Sequence, residues 1–171
     1  MWKIPGILLL VLGVPFAGLM NAQAPVKVGI VNAQKAVADT QEIKKDQATL
    51  EAKYRPRQQT IAQLQSDLQS IQQQLGTPNI TPDREAQLRQ TAADKQKQLQ
   101  RASEDLQSDV NAERQDILGR AGRQMTDIIR KLAEARGLDM IVDVTNTLYY
   151  KPALDLTAEA TAEYDKAYPA K

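Results

Sequence analysis

Apolar residues recur in steps of three, four and seven from Ile43 through Leu50, Tyr54, Ile61, Leu64, Leu68, Ile71 and Leu75, with Arg57 breaking the series. That spacing predicts one long helix carrying a coiled-coil seam. A second stripe runs Leu88, Ala92, Leu99, Ala102 and Leu106, with Lys95 as its polar exception. Between them, Gly76-Thr77-Pro78-Asn79-Ile80-Thr81-Pro82 reads as a turn. Gly76 suits the position after a helix end, Pro78 cannot continue that helix, and Thr81 can cap the next with Pro82 in its first turn. Asp83 and Glu85 then put negative charge near the positive helix end. The pattern predicts an antiparallel helical hairpin over 36–136 with its tip at 76–82. Past Leu106 the returning stripe continues through Val110, Ile117, Ala121, Met125, Ile128 and Leu132 with extra steps of four, approaching an eleven-residue repeat.

Arms of this length reach about 60 Å (Ala36 to Leu75) and about 80 Å (Pro82 to Arg136) at 1.5 Å per residue, too long to wrap one core. What remains, 25–35 and 137–171, forms a small body. Val26, Val28 and Ile30 alternate as in a short strand, and Met140, Val142 and Val144 do the same, taken as inward-facing. Thr145-Asn146-Thr147 is expected to turn the chain into Leu148-Tyr149-Tyr150 as a hairpin partner. Gly137 should end the long helix, and Thr157 should cap a last helix whose Leu156, Ala160 and Tyr164 cover the sheet. The fold class is therefore α+β, mostly helical. So small a body buries too little surface to stand alone, which predicts that Val28, Ile30, Met140, Val142, Val144 and Leu148 complete it by oligomerisation.

Residues 1–24 read as a secretory signal: one Lys, then an apolar run from Ile7 through Met20, then the small-x-small Ala22-Gln23-Ala24. Pro25 directly behind Ala24 hinders cutting there, which leaves cleavage after Ala22 and retention as an uncleaved anchor open. Pro5, Gly6, Gly13 and Pro15 argue against a spanning helix.

The chain holds neither Cys nor His. Disulfides, thiolate nucleophiles, the usual zinc ligands and the imidazole base of hydrolytic triads are thereby excluded. With no Gly-rich phosphate loop and no paired carboxylates in a compact domain, the reading is a non-enzyme with no catalytic residue, metal site or cofactor. A basic stripe with stacking aromatics is missing too, which argues against nucleic acid.

The order of these elements resembles the Skp, or OmpH, family of periplasmic chaperones. The pieces that carry the resemblance are Val28-Gly29-Ile30-Val31-Asn32, the long hairpin, Leu138-Asp139-Met140-Ile141-Val142-Asp143, Leu148-Tyr149-Tyr150 and Asp155-Leu156-Thr157, together covering Val26 to Tyr168. The resemblance implies a homotrimer whose strands share a β-barrel and whose three hairpins hang from it. It implies a periplasmic protein that holds unfolded outer-membrane proteins between those arms without nucleotide, with transient contact to membrane lipid. The best-known members are strongly basic, whereas the net charge here is +1. Arg114, Arg120, Arg123, Arg130, Lys131 and Arg136 are interleaved with acids, which predicts pairing within the helix, and no lipopolysaccharide-binding residue is carried over.

Two further positions stand out. Pro56 lies inside the outgoing helix, where a kink or break near Arg55 is expected, opposite Ala102 and Ser103; it is the candidate hinge of the arm. Ile80 at the tip is the clearest apolar side chain off the seam and the candidate client contact there. The many Gln residues, among them Gln63, Gln65, Gln69, Gln72 and Gln73, read as solvated helix surface. The alternative function is a non-enzymatic coiled-coil spacer or adaptor of the cell envelope.

Overall fold

The computed structural model describes residues 25–170, so the expected signal over 1–24 lies outside the described residues. Strand β1 (Val28–Val31) passes through Asn32 into a short helix α1 (Ala33–Ala38), and Thr40 starts the outgoing helix α2 (Gln41–Leu75). Helix α3 (Pro82–Arg136) returns to strand β2 (Met140–Asp143); two single 3-10 turns, Val144–Asn146 and Pro152–Leu154, precede helix α4 (Thr157–Ala167). β1 and β2 pair in parallel, Val28 beside Met140 through Val31 beside Asp143. Parallel strands need a long crossover. Here the crossover is the whole helical arm. On the other side of β1, the Leu156 amide donates to the Ile30 carbonyl at 2.8 Å, so β1 is central.

The core lies where the root of the arm meets the body. Val31, Ala36, Val37, Ile43, Ala121, Met125, Ile128, Leu132, Leu156, Ala160 and Tyr164 form one buried cluster. The section of α3 whose apolar step lengthens is thus the section that packs on α1 and α4. Full burial of each large side chain contributes about 1.5–3 kcal/mol, which makes this cluster the main stabilising unit of the chain. Gly29 leaves room for that packing: a Cβ there would sit 2.7 Å from Leu156 Cδ1 and 2.9 Å from Leu138 Cδ1, so both leucine ends would have to shift.

Along the arm the seam is thin. Tyr54, Leu64, Ile71 and Leu88 are buried, while Leu50, Ile61, Leu68, Leu75, Leu99 and Leu106 are half-buried. Two helices alone cannot close over every seam residue, because each side chain has a single partner helix to lie against.

The backbone departs from the sequence reading at several places. The first arm is not continuous from Ala36: it breaks at Asp39, and Thr40, fully buried, caps α2 by accepting from the Ile43 amide while its hydroxyl donates to the Val37 carbonyl. The strand after α3 stops at Asp143, so Val144 is not part of it and no hairpin with Leu148-Tyr149-Tyr150 forms. Asp143 Oδ1 accepts from the Thr145 amide at 2.8 Å and hydroxyl at 2.5 Å, a local turn that outcompetes the ladder. Thr157 does not cap α4 with its side chain; Asp155 accepts from the Thr157 amide, and the Thr157 hydroxyl oxygen accepts from the Asn32 amide, tying β1 to α4. Gly76 directly follows the end of α2 as expected, in a right-handed conformation, and the left-handed tip residue is Asn79 at φ 64°, a residue type that tolerates it. Of the kink or break expected near Arg55, the break is absent, since α2 is continuous through Pro56.

Gly137 ends α3 at φ 59°, with the Leu138 amide donating to the Ala133 carbonyl and the Gly137 amide to that of Glu134. No atom lies within 4 Å of a Cβ added at Gly137 or at Gly122, so backbone preference alone decides both substitutions. Gly137→Ala should cost about 1 kcal/mol because Ala resists the left-handed region. Gly122→Ala, inside α3, should stabilise by about 0.5–1 kcal/mol. Urea unfolding midpoints at one fixed protein concentration check the opposite signs; equal signs would refute this account.

Candidate interaction surfaces

Both polar exceptions in the seam are explained by partners across the arm. Arg57 Nη1 donates to Asp109 at 2.6 Å, and Lys95 Nζ to Asp67 at 2.6 Å. Tyr54 is the best-pinned residue of the outgoing helix: its hydroxyl donates to Glu113 at 2.9 Å, and Lys53 and Arg57 lie 5.3 and 5.7 Å from its ring centroid. These partners hold the Glu113 and Asp67 carboxyls below the usual range, chiefly through the hydrogen bonds from Lys53 and Lys95. The same pairs place Pro56 beside the Asp109–Glu113 stretch, not opposite Ala102 and Ser103 as a count from the tip predicted. Pro56 itself is exposed.

At the root, Tyr164 is fully buried, and its hydroxyl donates to Glu42 Oε2 at 2.5 Å and lies 2.7 Å from the Gln124 amide oxygen. Arg120 completes the junction, donating to Glu42 at 3.1 Å and Asp46 at 2.9 Å. Burial, then the hydrogen bond to Glu42, pushes the Tyr164 hydroxyl well above the tyrosine range. Arg136 pairs with Glu159 of α4, and only Arg130 of this basic group bridges within its own helix, to Asp127. The expectation of intrahelical pairing is therefore corrected: α2 and α4 supply the acids for Arg120 and Arg136. No Gly or Pro between Ala36 and Ile43 marks this junction; Thr40 followed by Glu42 was the helix-start signal available.

Exposed apolar side chains concentrate on the body. Leu148 is fully exposed, Tyr149 is 80% and Val26 67% exposed, and Met140 and Leu154 are also exposed. Ile80 is half-buried, in a shallow site with Gln74, Pro78, Arg84 and Leu88, so the tip is not where apolar surface is most open. The sheet has two faces. Gly29, Val31 and Ile141 face the helical core, which places Val28, Ile30, Met140 and Val142 on the opposite face. The inward set deduced from alternation is therefore turned away from the helices; Met140 is half exposed, Val142 and Val144 are half-buried, and only Ile30 of the group is buried. Among the described residues, no strand pairs with the outer edge of β2.

A groove of about 320 Å³ opens between the arms near the root, lined by Leu50, Tyr54, Gln58, Val110, Ile117 and Leu118. It offers apolar wall with Glu51 and Arg114 on its rim. Among the described residues, no group of acids can hold a metal ion, and no helix is long and apolar enough to cross a membrane.

A family model described as outer membrane protein (OmpH-like) matches residues 27–164. The fold is similar to the crystal structure of an OmpH-like protein from Caulobacter crescentus CB15, provisionally assigned there as an outer membrane chaperone. The two share 21% identity at a TM-score of 0.70, covering 86% of this chain and 89% of that one. At that identity the likeness speaks for the fold alone. No curated protein matches the chain.

Because the folded-state pKa of Tyr164 is raised, the fold binds its proton more tightly than the unfolded chain does. Its contribution is fully present below about pH 10 and is lost as pH rises toward the folded-state value. Tyr164→Phe should cost about 1–2 kcal/mol at neutral pH, by leaving Glu42 Oε2 without its donor while Arg120 still holds Oε1, and should flatten the alkaline loss of stability. Chemical unfolding between pH 8 and pH 11 checks this; an unchanged alkaline slope in the variant would count against it.

Proposed function

The chain belongs to the OmpH-like family of outer membrane proteins, and from that premise we propose that it is a periplasmic holding chaperone. Its clients are unfolded outer-membrane β-barrel proteins, kept from aggregating without nucleotide or other cofactor. The observation that carries the reading is that the family match spans body and arms together, 27–164. A spacer would need the arms alone.

The division of apolar surface supports an assembly. The face carrying Val28, Ile30, Met140 and Val142, the open edge of β2, and the exposed Leu148 and Tyr149 all lie on the body. Covering them by a shared barrel in a homotrimer, with the hairpin over 36–136 projecting and the body made from 25–35 and 137–171, satisfies the strand edge and hides the apolar face. A periplasmic site fits the leader read over 1–24. Net charge of +1 leaves only transient contact with membrane lipid.

A holding chaperone must bind many segments weakly and release them without an energy source. Arms that each offer shallow contacts, such as the Leu50–Leu118 groove and Ile80 at the tip, meet that need by avidity. Pro56 is proposed as the hinge of the arm. Proline removes the amide donor to the Ala52 carbonyl, so bending there breaks no backbone bond on that turn. The pairs Lys53–Glu113 and Arg57–Asp109 flank it, so such bending would carry both helices together.

Light scattering of an outer-membrane β-barrel protein diluted from urea tests the function, with the mass of the chain read in parallel. Suppression near one trimer per client is expected; a trimer that leaves aggregation untouched would favour the envelope spacer. Pro56→Ala should stabilise α2 and narrow the spread of arm separations measured between spin labels at the tips, with capacity for large clients reduced. An unchanged spread and capacity would sink the hinge.

A further inference from the structure

From Gln58 to Pro82 the chain carries one charged side chain, Asp67, and Lys95 neutralises it at 2.6 Å. The exposed positions of α2 in this stretch are filled by Gln, Ser, Thr and Ala. Gln58, Gln65, Gln69 and Gln72 follow one another by seven, four and three residues, so they form one stripe beside the seam, with Ala62 between. All four are exposed, and none of their side-chain amides makes a hydrogen bond among the described residues. The stripe begins at the lip of the apolar groove, which Gln58 also lines. Nearer the root the surface changes character, with Lys53–Glu113, Arg57–Asp109 and Arg120–Glu42 crossing between helices.

Charged surfaces select partners by sign and weaken with salt, because fields are screened beyond about 10 Å at 0.1 M. A neutral amide stripe does neither. Each Gln offers two donors and an acceptor oxygen, the complement of an unpaired peptide group. One such bond in water contributes only about 0.5–1.5 kcal/mol, weak enough to release and useful only in numbers. From Gln58 to Gln72 the stripe is about 21 Å long, room for about six residues of extended chain.

We propose that the stripe Gln58–Gln65–Gln69–Gln72 is the track that holds an extended, unfolded polypeptide segment by its peptide groups, so that capture is independent of client charge and of salt. This rests on the holding-chaperone reading and specifies the client chemistry: unpaired backbone of either charge sign. The test is the Kd of the full chain for two unfolded outer-membrane β-barrel proteins, one acidic and one basic, from about 50 mM to about 500 mM NaCl. Less than about a twofold change is expected for both clients. The quadruple change of Gln58, Gln65, Gln69 and Gln72 to Ala keeps helix-forming residues and should weaken both by about tenfold. Changing the same four to Glu should make capture salt-dependent and favour the basic client. A steep loss of wild-type affinity with salt, or an Ala variant that binds as well as wild type, overturns the track while leaving the chaperone reading intact. Absence of capture at every salt overturns both. Self-association of arms that the Glu variant abolishes, with capture unaltered, assigns the stripe to a second copy and overturns the track.

Discussion

Parallel pairing of Val28–Val31 with Met140–Asp143 is the contact on which the rest of the chain depends. It joins two strands that flank the helical arm in the sequence and so anchors both arm roots in one body. The entropy of closing so long a loop grows only logarithmically, about 0.6 kcal/mol for each doubling of length. An arm can therefore be long without burdening the closure, provided the closing contact is secure. Security comes from the layer behind the strands, where Gly29 lets Leu138 and Leu156 close over the sheet. Asp143 contributes from the other end, accepting from the Ala33 amide at 3.3 Å and linking β2 to the start of α1.

The arm itself obeys a different economy. With only two helices, its seam cannot bury enough apolar surface to be rigid along its length, and polar pairs take over at chosen places. Arg57 and Lys95 look like faults in an apolar series and are instead cross-links, meeting Asp109 and Asp67 at 2.6 Å. Such pairs at a solvated surface add little stability each. Their effect is on alignment of the two helices, and most of them sit in the root half, next to the Glu42–Arg120–Tyr164 junction. The outer half of α2 is left almost free of charge.

This distribution separates two tasks. Open apolar area sits on the body, at Met140, Leu148 and Tyr149, where a fixed self-complementary partner would bury it permanently. The outer half of α2 exposes amides and short hydroxyls, which in the proposed role would hold a changing partner without trapping it. Were these surfaces exchanged, the arms would stick to each other and the body would fail to close.

The helical hairpin, its turn, the Gly137 stop and the burial of Leu156, Ala160 and Tyr164 were legible from residue order, because period, capping and left-handed glycine act over a few residues. The α1–α2 corner was hidden because no Gly or Pro marks it between Ala36 and Ile43, and only packing of α4 against both helices reveals why the chain bends there. The side chain of Asp143 was decided by tertiary context as well: it turned an expected strand end into a 3-10 turn and left Leu148 and Tyr149 open. Alternation alone could say which residues of β1 and β2 share a face, but not which face meets the helices, since both faces are apolar. That choice belongs to Gly29, whose missing side chain matters only once Leu138 and Leu156 arrive from distant parts of the chain.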